Sequence, residues 1–122
     1  RRPCRGKAEG EEAMAVHEFG VLPRDPVPGE WYDTYEPERY NCVAVDDIWV
    51  EPLAEKLAEV PVYWQSLDQP GKGLDYCGIT LISPASISAV LSALDTSEVW
   101  TTLGGLLEEA KAQGRFVIHY GL

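Results

Sequence analysis

The chain has 122 residues, 45% of them hydrophobic, and its ten basic and twenty acidic side chains give a formal net charge of -10. That is the size of one ordinary domain, with enough apolar surface for a core that needs no metal or disulfide staples. The charge opposes close approach to phosphate backbones and anionic headgroups, which excludes nucleic acid and membrane surfaces as expected partners, and no stretch approaches the ~18 apolar residues of a membrane span.

Residues 1–13, RRPCRGKAEGEEA, have no aliphatic side chain larger than alanine and no periodicity. Such a segment cannot offset the entropy of ordering it, so a disordered leader is expected, with Met14 as the working start. The arginines are not followed by the apolar core of a secretory signal. Cys4, Cys42 and Cys77 form an odd set without CxxC spacing. Free thiols in a reducing cytoplasm are therefore expected.

Residues 15–22 read as a first strand ended by Pro23. From 23 to 40, prolines at 23, 26, 28 and 37 alternate with acids and with Trp31, Tyr32, Tyr35 and Tyr40. The prolines forbid regular structure and the aromatics are too many for a solvated linker, which predicts a long ordered arm lying across the domain. A short strand at 41–45 stops at Asp46-Asp47, a pair suited to capping a helix. Trp49, Leu53 and Leu57 then fall at fourfold spacing and predict an amphipathic helix to about residue 59, with Pro52 in its first turn.

Residues 62–64 and 76–82 are the next strands, expected as a hairpin about the turn-forming stretch 66–73. Ser83-Pro84 opens a helix carrying Ile87, Val90, Leu91 and Leu94 on one face. After a break at 95–100, Leu103, Leu106, Leu107 and Ala110 mark a third helix that Gly114 stops, and residues 115–120 are the last strand. The whole reads as a single α+β domain at 14–122, a mixed sheet of about five strands covered by three helices. Its N- and C-terminal strands should be neighbours, because Val16-His17-Glu18-Phe19-Gly20 near one end is echoed by Ile118-His119-Tyr120-Gly121 at the other.

That echo carries the only two histidines. Paired strands would bring His17 and His119 within reach of each other and of Asp46, Asp47, Cys42 or Cys77, a set able to run acid and base steps or hold a metal. The spacing has no HExxH, HxH or CxxC, and two imidazoles hydrogen-bonded inside a sheet satisfy the same residues, so no metal or cofactor is assigned. Cys77 as nucleophile competes with a small buried thiol in an apolar strand, and Asp47 as base competes with helix capping. The glycines of Pro70-Gly71-Lys72-Gly73 lack the spacing of a phosphate loop.

The arm is the richer feature. Trp31, Tyr32, Tyr35 and Glu36 belong to a run that interleaves rigid aromatics with carboxylates, a composition suited to a basic protein surface: rings anchor while acids steer. The same rings would also serve to pin the arm to the sheet. In length, acidity and lack of catalytic signature the chain is similar to small cytoplasmic bacterial proteins that neutralise or escort another protein, such as the immunity proteins of toxin systems; the likeness is one of composition and transfers no residues. The expected function is thus a non-enzymatic interaction module with a basic protein partner. The alternatives are a small metal-dependent or Cys/His hydrolase centred on the two histidines, and a homodimer built through the arm or a strand edge. Full burial of the arm's rings would oppose the first, and burial of the imidazoles the second.

Overall fold

A computed structural model describes residues 15–122; the expected leader and Met14 lie outside them. Among the described residues six strands form one sheet: β1 (Val16–Val21), β2 (Val43–Asp46), β3 (Pro61–Trp64), β4 (Pro70–Lys72), β5 (Ile79–Ile82) and β6 (Val117–Tyr120). Their order is β2-β1-β6-β5-β3-β4 and every pairing is antiparallel. Three helices, α1 (Asp47–Lys56), α2 (Pro84–Ala93) and α3 (Thr101–Gln113), complete the α+β fold, with a 3-10 turn at Glu98–Trp100 leading into α3. The terminal strands are adjacent, as the echo predicts, with Phe19 opposite His119 and Gly20 opposite Ile118.

Strand alternation splits the buried residues between two layers. Phe19, Val45, Val62, Ile82 and Val117 face the helices and pack with Val50, Leu53, Leu57, Ile87, Val90, Leu103 and Leu107. On the opposite face Ile79, Leu81, Ile118 and Tyr120 form a second cluster, closed by Leu22 and Tyr40 with Tyr32 and Cys42 at its margin. The segment between β1 and β2 supplies those lids without forming a helix or strand of its own. It is tied down by backbone bonds, Leu22 N–H to Phe116 O at 2.9 Å and Tyr32 N–H to Gln65 O at 2.8 Å. The sheet is therefore covered on one side by helices and on the other by the arm, which is why β5 and β6 are buried on both faces.

Three local expectations are revised. Pro52 is the sixth residue of α1 rather than part of its first turn. Its missing N–H would have bonded Ile48 O, and Ile48 is 68% exposed, so water can serve that carbonyl. The stretch 66–73 holds β4, which pairs with β3 at the sheet margin, while β3 also pairs with β5. An edge strand tolerates Pro70 because its outward side needs no donor. Finally, β5 begins at Ile79, and residues 76–78 form a turn in which Gly78 N–H bonds Asp75 O at 3.0 Å.

Candidate functional site

The histidine echo builds one connected polar cluster. His17 and His119 point to the helix side of the sheet on adjacent strands, diagonal across the β1–β6 register, and their rings stack with centroids 5.2 Å apart. His17 Nδ1 lies 2.9 Å from His119 Nε2, and His17 Nε2 lies 2.9 Å from Asp47 Oδ1. His119 Nδ1 is 3.3 Å from Thr80 Oγ1, which accepts the Asp75 N–H at 2.7 Å. The Tyr76 phenol donates to Asp47 Oδ1 as well.

With Asp47 accepting at one end, one assignment that satisfies these contacts runs donation in a single direction. His17 Nε2–H donates to Asp47, His119 Nε2–H donates to His17 Nδ1, and the Thr80 hydroxyl donates to His119 Nδ1. The facing ring nitrogens are engaged with each other in this arrangement. Both are 0% exposed. The cluster ties β1, β6, β5, α1 and the 75–78 turn together, and no buried side-chain polar atom among the described residues lacks a hydrogen-bond partner.

Asp46 and Asp47 divide the two roles foreseen for them. Asp46 is the cap of α1 and accepts the Ile48 N–H at 2.9 Å. Asp47, one residue on, serves the histidine cluster. Cys77 lies exposed in the turn before β5 and is disulfide-bonded, which corrects the expected buried free thiol in a strand and removes the free-thiol ground for a cytoplasmic setting. Cys42 is half-buried at the margin of the arm-side cluster. Burial raises the Asp75 carboxyl above its ordinary value, offset in part by the Cys77 backbone. Among the described residues no group of three His, Cys, Asp or Glu is placed to hold a metal ion, and no helix is long and apolar enough to cross a membrane.

Thr80 and Tyr76 are cluster members that sequence reasoning missed. Their signal was proximity in chain to Cys77, which drew attention to the thiol rather than to the hydroxyls beside it. Gly121, the last common feature of the echo, has a packing reason: a Cβ there would stand 2.2 Å from Tyr76 O. The C-terminal glycine thus admits the turn that carries Tyr76 to Asp47.

The arm offers a different kind of site. Trp31 is 51% exposed and Tyr35 41%, and Val27 is similarly open, whereas Tyr40 is buried and Tyr32 half-buried. The arm is pinned by Tyr32 and Tyr40, with Tyr35 partly exposed and Trp31 turned outward. Around them stand Asp25, Glu30, Asp33, Glu36 and Glu38 against Arg24 and Arg39. Arg24 pairs with Glu30, and Arg39 Nη1 lies 3.4 Å from Glu36 Oε2. The Arg24 hydrogen bond holds the Glu30 carboxyl below its usual range. Burial pushes the Tyr32 phenol up to about 12, with the neighbouring Glu30 charge adding to the shift.

Trp31, Tyr32, Glu36 and Tyr40 border one shallow cavity of about 120 Å³ together with Arg24 and Arg39. A second cavity, of about 480 Å³, opens between the arm and β1 and is bordered by Glu18, Tyr35, Pro37, Glu38, Asn41 and Cys42. The Tyr35 phenol donates to Glu18 Oε2 at 2.5 Å, and its ring meets Tyr120 edge-on at 5.2 Å. Comparison of the chain with protein-family models, with curated proteins and with solved structures finds no match.

Proposed function

We propose that the protein is a non-enzymatic interaction module whose arm engages a basic surface on a protein partner. The observation that carries this reading is the exposure of Trp31 and Tyr35 on a segment fastened by its other aromatics. Tyr32 and Tyr40 fasten the arm and Tyr35 adds a bond to Glu18 and an edge contact with Tyr120, yet Tyr35 keeps an exposed part and Trp31 packs in neither core cluster. Such rings lose little entropy on contact and make strong anchors. The surplus of carboxylates around them favours a cationic partner and speeds the encounter.

The hydrolase alternative asks for imidazoles facing a water-accessible pocket, and both are buried and engaged with each other. The cluster is read as a structural element of the core. Localisation in the cytoplasm is kept only as the setting in which the expected partner would be met.

Affinity capture from the native host's lysate tests the reading, with a Trp31→Ala, Tyr35→Ala double variant shown to be folded as the control bait. A basic protein retained stoichiometrically by the parent chain and lost by the variant is the expected result, with an association rate that falls as salt rises. Equal retention by both baits would remove the arm as the contact surface.

A second reading, self-association, is favoured by one observation. Ile48 and Trp49 are exposed on the first turn of α1, next to the edge strand β2. Light scattering across a concentration series, with Trp49→Lys as comparison, measures it. A dimer lost in that variant would make α1 an interface between copies of the chain.

A further inference from the structure

The partner's chemistry can be narrowed at the smaller cavity of the arm, an inference that rests on the interaction reading above. Tyr40 closes the arm-side cluster with its ring and is only 8% exposed, yet nothing among the described residues hydrogen-bonds its phenol. The phenols of Tyr32 and Tyr35 are bonded, to Glu30 and Glu18. No buried polar atom of the described side chains lacks a partner, so the Tyr40 hydroxyl is reached by solvent, and the cavity it borders is the way in. The charged groups that act on it, Arg39, Glu36, Glu30 and Arg24, all border that cavity. A phenol held by its ring at the floor of a cavity offers one donor and two lone pairs to whatever replaces the water there.

The charges around the cavity leave little room for another ion. Glu30 is saturated: it accepts from both terminal nitrogens of Arg24, from the Val27 N–H at 3.2 Å and from the Tyr32 phenol at 3.3 Å. Arg39 meets Glu36 at 3.4 Å, long for a hydrogen bond, with its guanidinium 5.4 Å from the centre of the Tyr40 ring. Donors therefore remain on Tyr40 and Arg39, and an acceptor on Glu36. An added cation would face two guanidinium groups, and an added anion the carboxylates of Glu30, Asp33 and Glu36. A neutral group with a carbonyl and an N–H side by side meets neither repulsion.

We propose that this cavity receives the side-chain amide of an asparagine or glutamine on the partner, its carbonyl accepting from the Tyr40 phenol and the Arg39 guanidinium and its NH2 donating to Glu36. A cavity of about 120 Å³ admits a group of a few heavy atoms. Trp31 borders it and covers the chain that carries the amide. The arm's outer carboxylates still select a basic surface, while the amide fixes where on that surface the arm docks.

The test is an NMR titration of the full chain with acetamide, acetate and acetamidinium, three planar probes of one size that differ in charge. Saturable shifts of the backbone amides around Trp31, Glu36 and Tyr40 are expected from acetamide, with a dissociation constant in the tens of millimolar that is about fivefold below that of either ion. Tyr40→Phe should weaken acetamide binding about tenfold, the loss of one hydrogen bond, and leave the urea midpoint unchanged because the hydroxyl has no partner in the fold. Arg39 is 63% exposed, so Arg39→Gln keeps the fold and should weaken binding severalfold. Tighter binding of acetate or acetamidinium, shifts that do not saturate, or full affinity in both variants would overturn the amide pocket. So would a midpoint that falls in Tyr40→Phe, since the phenol would then be holding the fold rather than awaiting a ligand.

The lysate capture distinguishes failure of the pocket from failure of the arm. A partner kept at full strength by Tyr40→Phe and lost by the Trp31→Ala, Tyr35→Ala variant overturns the amide contact and leaves the interaction surface standing. A partner weakened by Tyr40→Phe and displaced from the parent chain by acetamide supports both. Acetamide bound in the cavity while neither variant loses the captured protein overturns the partner's amide and the surface together, and assigns the cavity to a free small amide.

Discussion

His17 and His119 belong to one hydrogen-bonded cluster, so the cost of changing any member is set by what it strands. Removing the Tyr76 phenol with Tyr76→Phe deletes one donor to Asp47 and should destabilise the fold by about 1–3 kcal/mol, read as a lowered urea midpoint at unchanged slope. Thr80→Val removes the hydroxyl that meets both the Asp75 N–H and His119 Nδ1, and a similar loss is expected from two unmade bonds at a position 0% exposed. Because the members act as one network, the Tyr76→Phe, Thr80→Val double variant should lose less than the sum of the single losses. Gly20 is a tighter constraint. An added Cβ would meet Tyr40 Cβ and Cys42 Sγ at 2.8 Å, so Gly20→Ala should cost about 1–3 kcal/mol through overpacking and lift the arm from β1.

The helices read well from sequence because their apolar residues repeat at helical spacing and their stops are chemical. Gly114 ends α3 in the left-handed conformation at φ 67°, and Pro84 opens α2 at its first position. Strand boundaries read less well. Residues 76–78 continue an apolar run into Ile79, yet Asp75 and Gly78 close a turn there, tied to the end of β6 by bonds from Gly121 N–H to Gly78 O at 2.7 Å and from Leu122 N–H to Tyr76 O at 2.9 Å. The short β4 was hidden among turn formers because an edge strand with Pro70 and Gly71 has no apolar alternation to display. Gly71 is there for a ring on the paired strand β3 rather than for a turn: a Cβ would stand 2.6 Å from the Trp64 ring. The glycines of α3 are the opposite case, since a Cβ at Gly104 or Gly105 meets nothing within 4 Å. Replacing either by alanine should stabilise the protein by about 0.5–1 kcal/mol, seen as a raised melting temperature with no change in the arm's binding.

Across the whole molecule, the arm makes the tyrosines titrate unusually. Burial raises the phenols of Tyr35, Tyr40 and Tyr120 as it does that of Tyr32, and the hydrogen bond to Glu18 adds to the rise at Tyr35. A folded-state pKa above the unfolded value means that the native state keeps its proton longer. The stability tied to that proton is complete below about pH 10 and is lost as pH climbs toward the folded values. Alkaline titration followed by phenolate absorbance should therefore show Tyr32, Tyr35, Tyr40 and Tyr120 ionising late, together as the arm comes away. A smooth transition of all six phenols near pH 10 would contradict the packing described for the arm. At this scale the α+β class and the adjacency of the end strands were legible in the His-aromatic-Gly echo. The two-sided covering of the sheet was legible only as an arm with too many aromatics, because nothing in the residues distinguishes a ring that pins from a ring that projects.

The central placement of β6 also governs how the chain reaches this state. The bond between His17 and His119 spans 102 residues, and β6 stands between β1 and β5, so the two halves of the sheet have no shared strand until β6 is in place. A nascent chain can pair β1 with β2 and β3 with β4 early, but those hairpins stay separate, their inner edges open, until the last strand leaves the ribosome. Closure of so long a loop makes folding slow for a domain of this size and leaves open edges as the hazard of a stalled or shortened product.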